Sequence, residues 1–240
     1  MLFLGPHACE EAVERGALHQ LWVAPAAWAR CAALREAARA AGATVRQEPM
    51  EALDRRTEGK RHQGVVGEGA DFKYTAFEDV VKAMQAKGDQ GLVLALDGVT
   101  DPHNLGAVLR SCAAVGVDGV ILPERRSAAV NDTVIRASAG TAARVRVARV
   151  VNLGRALDEL KEAGGWLYGL AGGEGSSSYL DEPFDRATVL VMGSEGEGLH
   201  QKVAERCDGL LCIPMPGGVE SLNVSAAAAV ALFRVLARRG

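Results

Sequence analysis

The chain has 240 residues, 48% of them hydrophobic and 24% charged, values ordinary for a folded protein, so disordered and fibrous classes are excluded. That length supports one large domain, or one of ordinary size with a small companion. A formal net charge of −3 excludes indiscriminate coating of nucleic acid, which needs a surplus of Lys and Arg against phosphates. No stretch approaches the ~18 apolar residues of a membrane span, and residues 1–10 lack a basic leader and a cleavage-like site, so a cytoplasmic location is expected. Cys9, Cys31, Cys112, Cys207 and Cys212 are scattered with no CxxC pair and read as free buried thiols. The five histidines form no HExxH or close pair, and no metal is expected.

In chain order, the first ~70 residues read as a small mixed unit. A helical stretch lies around 10–15, an apolar strand at Leu21-Trp22-Val23 and an alanine-rich helix near 30–41, stopped by Gly42. Short strands follow at 44–46 and 64–66. Arg55, Arg56, Lys60 and Arg61 make this unit's densest basic run, with Arg125-Arg126 and the trio Arg144, Arg146 and Arg149 further on. Taken alone, each patch is as compatible with a solvated face as with a nucleic-acid contact. Polar, charge-mixed text brackets a weakly helical acidic segment over 71–90, which reads as a linker.

From Gly91 the pattern changes. Apolar runs of strand length at 92–96, 119–122, 145–148, 166–171, 188–192 and 210–213 alternate with helical spacing at 104–115, 132–138, 153–163, 199–206 and 224–238. Such alternation implies an α/β fold, a parallel sheet with helices on both faces. Ligands then bind outside the carboxyl ends of the strands, so the loops there are the place to seek chemistry.

Three loops stand out. DGVTDPHNLG over 97–106 runs into a helix bearing Arg110; Asn104 would serve as an N-cap, but capping leaves Arg110 unexplained. MGSEGEGL over 192–199 follows an apolar strand, and its glycines permit close backbone approach to a ligand. Its G-x-x-G-x-G spacing differs from the dinucleotide fingerprint, and no P-loop occurs. IPMPGGVESLNVS over 213–225 joins a strand, a proline-stiffened loop and a Ser/Asn cluster to a long alanine-rich helix. Capping by Asn223 or Ser225 would explain its polar residues, yet it would also make a wall for a purine and ribose, with Leu222 against the ring.

DGVTDPHNLGAVLRS, VLVMGSEGEGL and IPMPGGVESLNVS resemble, in order, the three motifs of the SpoU (TrmH-like) family of RNA ribose methyltransferases in the SPOUT superfamily. GPHACEEA over 5–12 and RHQGV over 61–65 are similar to the ends of a small RNA-binding domain, itself like ribosomal protein L30e, found in members acting on ribosomal RNA. The resemblance divides the chain into an L30e-like substrate-binding domain (1–70), the linker (71–90) and a catalytic domain (91–240). Periodicity alone gives an ordinary open sheet; the resemblance implies a C-terminal trefoil knot, an obligate homodimer and S-adenosylmethionine as cofactor.

By the same resemblance Arg110, Asn104, Glu195, Ser221 and Asn223 form the catalytic set, with Arg110 as general base or phosphate anchor. Gly193, Ile213 and Leu222 would contact the adenosine, with Ala171, Met192, Gly198 and Met215 added from neighbouring strand ends. Arg55, Arg56, Lys60 and Arg61 become candidate RNA contacts. The implied reaction is 2′-O-methylation of a ribose in RNA, with a guanosine of 23S rRNA as the expected target. A tRNA ribose methyltransferase, an rRNA resistance methyltransferase and a binding-only ribosome-assembly protein are the alternatives.

Overall fold

Period-two burial organises the first sheet. Phe3, Leu21, Val23 and Val65 belong to one buried cluster, whereas their neighbours Leu4, Trp22 and Val66 belong to another on the opposite face. The computed structural model describes residues 1–14, 16–69, 72–173 and 175–239. In chain order its elements begin with β1 (Leu2–Leu4), α1 (Pro6–Glu14), β2 (Leu18–Val23), α2 (Pro25–Trp28), α3 (Ala32–Ala40), β3 (Thr44–Gln47), α4 (Met50–Arg56) and β4 (Val65–Gly69). The strands form a sheet of order β1-β4-β2-β3, parallel only between β2 and β3. Helices α1 and α3 supply Cys9, Ala12, Leu34 and Ala38 to one face, and α4 supplies Leu53 to the other.

The remaining elements are α5 (Phe77–Ala86), β5 (Leu92–Asp97), α6 (Pro102–Val115), β6 (Gly119–Pro123), α7 (Asp132–Ala137), β7 (Val147–Val150), α8 (Leu153–Glu162), β8 (Trp166–Leu170), β9 (Ser177–Ser178), β10 (Thr188–Gly193), α9 (Gln201–Ala204), β11 (Gly209–Cys212) and α10 (Val224–Arg239). They build a seven-stranded sheet of order β7-β6-β5-β10-β8-β11-β9, with every described pairing parallel. All six residues of β5 and of β10 are buried, as befits central strands covered on both faces. One face carries Val93, Ala95, Val189 and Val191 against α5 and α8, where Leu153, Ala156, Leu157 and Leu160 make a helical stripe. Helix α10 packs on α6 and β10.

The chain forms two compact units, Met1–Lys73 with Val130–Ala143, and Tyr74–Ala129 with Arg144–Gly240. Two features depart from the divisions at 70 and 91. Residues 130–143 group with the first unit because α7 packs on β1 and Gly140 lies against the Glu11 carboxyl, so closely that a Cβ there would fall 1.5 Å from Glu11 Cδ. Within the stretch read as a linker, α5 buries Val80 and Met84 completely against the large sheet and so belongs to its core.

Candidate active site

Strands β5 and β10 are neighbours in the sheet, yet the chain runs outward from β5 through β6 to β7 before returning to the other side with β8. Such a reversal of strand order opens a crevice at the carboxyl ends. The loops after β5, β10 and β11 converge there. Asp101 caps α6 by accepting from the His103 backbone N–H at 3.0 Å, with Pro102 at the first helical position. Asn104 is therefore not the cap, and its amide is free to face the loop after β10. Its Nδ2 donates to Glu195 Oε2 at 3.3 Å. Asn223 Nδ2 donates to Asn104 Oδ1 at 3.0 Å and to Glu195 Oε2 at 3.2 Å. The Asn223 side-chain Oδ1 accepts from the Ser225 N–H at 2.9 Å and hydroxyl at 2.6 Å, so this residue closes the start of α10 and joins the cluster at once.

Beside the cluster lies a cavity of ≈ 350 Å³, walled by the ends of β8, β10 and β11 and by the loops that follow them. Gly193, Ile213, Leu222, Ala171, Met192, Gly198 and Met215 all line it, as do Glu195 and Ser221. The lining holds two carboxylates, Glu195 and Glu220, and no Lys or Arg. A phosphate-bearing dinucleotide would meet uncompensated negative charge there, whereas a neutral adenosine with a tail of net positive charge suits it. The apolar walls, Leu170, Met192, Leu211, Ile213 and Leu222, suit a base ring.

The glycine-rich loop is closed on itself. Ser194 and Gly198 exchange backbone hydrogen bonds at 3.1 and 3.0 Å, and a Cβ at Gly193 would fall 2.0 Å from the Gly198 carbonyl. Its far end is held by Asp97, a 7% exposed carboxylate whose Oδ2 accepts from His200 N and contacts His200 Nδ1, both at 2.9 Å. Asp97 opens the first motif and His200 directly follows the second, but the sequence gives no sign that they pair; the signal is the acid at the end of an apolar strand, which must find a partner when buried.

Arg110 stands apart from the cluster. It lies on α6, exposed, outside the cavity lining and with no hydrogen bond or ion pair among the described residues. In the first unit, Arg55, Lys60 and Arg61 are exposed. Arg56 is engaged: its Nε and Nη2 each lie 3.0 Å from a Glu48 carboxylate oxygen, and its guanidinium stacks 4.0 Å from the Trp22 ring centroid. The Arg56 hydrogen bonds hold the Glu48 carboxyl below the usual carboxylate range. Among the described residues no group of three or more His, Cys, Asp or Glu could hold a metal ion, and no helix is long and apolar enough to cross a membrane.

These features define an α/β protein that takes a small neutral or cationic molecule at its strand ends, next to a polar cluster suited to group transfer. Residues 91–233 match the SpoU rRNA methylase family, and residues 2–75 match the family described as RNA 2′-O ribose methyltransferase substrate binding. A protein of Xanthomonas campestris pv. campestris, named 23S rRNA (guanosine-2′-O-)-methyltransferase RlmB, is 46% identical over 210 residues, covering 88% of this chain and 84% of its own. One of the same name from Xylella fastidiosa is 44% identical over 233 residues, covering 97% and 90%. Among solved structures, the SpoU methyltransferase AviRb from Streptomyces viridochromogenes, in complex with the cofactor AdoMet, superposes with a TM-score of 0.79 at 26% identity, covering 100% of this chain and 90% of that one. The chain belongs to the SpoU rRNA methylase family.

Proposed function

We propose that the protein is an S-adenosylmethionine-dependent RNA ribose 2′-O-methyltransferase whose target is a guanosine of 23S rRNA. The observation that carries this reading is the hydrogen-bonded union of Asn104, Glu195 and Asn223 at the edge of a cavity free of cationic side chains. The relatives named for 23S rRNA favour that RNA as substrate. S-adenosylmethionine, when bound, supplies an electrophilic methyl on sulfur; Gly193, Ile213 and Leu222 would hold its adenosine, with Ala171, Met192, Gly198 and Met215 around it.

The chain's own residues then have separable tasks. Methyl transfer to a ribose hydroxyl requires that the oxygen be aligned and relieved of its proton. Glu195 Oε2 already accepts from both asparagines, leaving Oε1 as acceptor for the ribose hydroxyl; Asn104 keeps one amide N–H to fix the sugar. Ser221, on the cavity wall, adds a hydroxyl. Arg110 anchors the target phosphate, the role its permanent charge favours over general base.

The small unit, as an L30e-like domain, grips the RNA through Arg55, Lys60 and Arg61, with Arg56 buttressing them. We assign the C-terminal part a trefoil knot, in keeping with β10 lying between β5 and β8 and α10 packing back on α6. The protein acts as a homodimer in the cytoplasm; Phe233 and Leu236, 49% and 42% exposed on α10, favour a partner for that helix. Mapping of 2′-O-methyl groups in 23S rRNA from cells lacking the protein tests the reading. Loss at one guanosine is expected, and an unchanged map would count against it.

A further inference from the structure

The carboxyl edge of the large sheet is divided by charge. The cavity occupies the β8, β10 and β11 side, and its rim is acidic. On the β6 side the loop after Pro123 carries Arg125 and Arg126, both exposed and neither making a hydrogen bond or ion pair among the described residues. No ion pair among the described residues accounts for two exposed arginines side by side in the sequence. The loop bearing them is nonetheless fixed. Glu124 N donates to Val150 O at 2.8 Å, the Arg149 guanidinium donates to Glu124 O at 2.6 Å, and Ala128 N donates to Val99 O at 2.9 Å. The last bond ties it directly to the loop that leads to Asn104.

A second, independent observation concerns the backbone. Arg126 has φ 57°, the left-handed region that L side chains other than Asn and Asp rarely enter. A glycine would sit there without strain, yet the position holds an arginine. Strained backbone held by surrounding bonds is characteristic of binding sites.

We infer that Arg125 and Arg126 form a phosphate clamp, which seats the RNA strand flanking the target ribose across the β5–β6 side of the edge. The geometry suits it: guanidinium forks match phosphate oxygens, and the clamp lies one loop away from Asn104 on the side the cavity leaves open. The inference rests on the reading of the protein as an RNA methyltransferase, but it is testable apart from catalysis.

The test is filter binding of the full chain to a 23S rRNA transcript over a range of salt, for wild type, R125A/R126A, R125K/R126K and R126G. Loss of two phosphate contacts on a single strand should flatten the log Kd against log salt slope by about 1.4 and weaken binding roughly tenfold near ~0.1 M salt. The lysine pair should recover most of the slope, and R126G should lose about half of it while melting no lower than wild type. S-adenosylmethionine affinity should be the same in all four. An unchanged slope in R125A/R126A would overturn the clamp, even if the transcript is methylated normally. A wild-type protein that binds the transcript steeply but never methylates it would instead overturn the enzymatic reading, with the slopes still deciding the clamp.

Discussion

Asn223 and Asn104, 119 residues apart in the chain, are joined by a 3.0 Å hydrogen bond, and both amides converge on one Glu195 oxygen. Three loops thereby become one unit, and mutations within it should not add. Glu195→Ala and Asn104→Ala are each expected to lower single-turnover methylation by about 10²-fold to 10³-fold. In the double variant the loss should fall short of the product, with a coupling of about 1–3 kcal/mol. Strictly multiplicative losses in this cycle would mean that the cluster does not act as a unit.

Gly193 has no room for a side chain, because Gly198 backbone atoms sit 2.0 Å from where a Cβ would stand. Gly193→Ala must spread the 194–198 turn, at a cost of about 1–3 kcal/mol, and open the cavity wall. Calorimetry should find S-adenosylmethionine binding weakened at least tenfold, while Gly172→Ala, with open space around its Cβ, remains the milder change.

The four basic residues of the first unit should separate into two kinds. Arg56→Ala removes the Trp22 stacking and the paired hydrogen bonds to Glu48, so it should lower stability by about 1 kcal/mol and barely alter the salt dependence of RNA binding. Because the Arg56 hydrogen bonds hold the Glu48 carboxyl below the ordinary glutamate value, the pair's contribution is fully present above that ordinary value and is lost as pH falls below it through the lowered one. Denaturant melts of wild type and Arg56→Ala should therefore differ at neutral pH and converge in acid. Substitution of Arg55, Lys60 and Arg61 should do the opposite, leaving stability alone and reducing the salt slope.

Burial pushes the thiols of Cys9 and Cys112 far up, and that of Cys207 to about 11. At pH 8 hardly any thiolate is present at these positions. Alkylation with iodoacetamide followed by mass spectrometry should leave all three unmodified in the native protein and modify them in denaturant. Labelling of Cys112 under native conditions would contradict its complete burial inside α6.

Much of the large sheet could be read from the sequence because its central parallel strands are continuously apolar over 92–96 and 189–192. Helix α5 was read as linker because Val80 and Met84 are its only fully buried residues and its ends carry charge, so its stripe is narrow. Helix α4 passed unnoticed for a similar reason, with Leu53 alone buried. The cavity lining was legible because it comes from short loops directly after strands. The hydrogen bonds joining Asn104 to Glu195 and Asn223 were not, since contact across 91 and 119 residues leaves no local pattern. Nor was the engagement of Arg56, which depends on Trp22 of β2 and Glu48 just after β3 both reaching its guanidinium.

The central claim is the chemistry at the Asn104–Glu195–Asn223 cluster. Its most direct test is incubation of the full chain with a 23S rRNA transcript and S-adenosylmethionine carrying a labelled methyl, followed by digestion to nucleosides and mass spectrometry. The label should appear as 2′-O-methylguanosine and fall by about two orders of magnitude with Glu195→Ala. Label on a base, or undiminished label in the variant, would contradict the account.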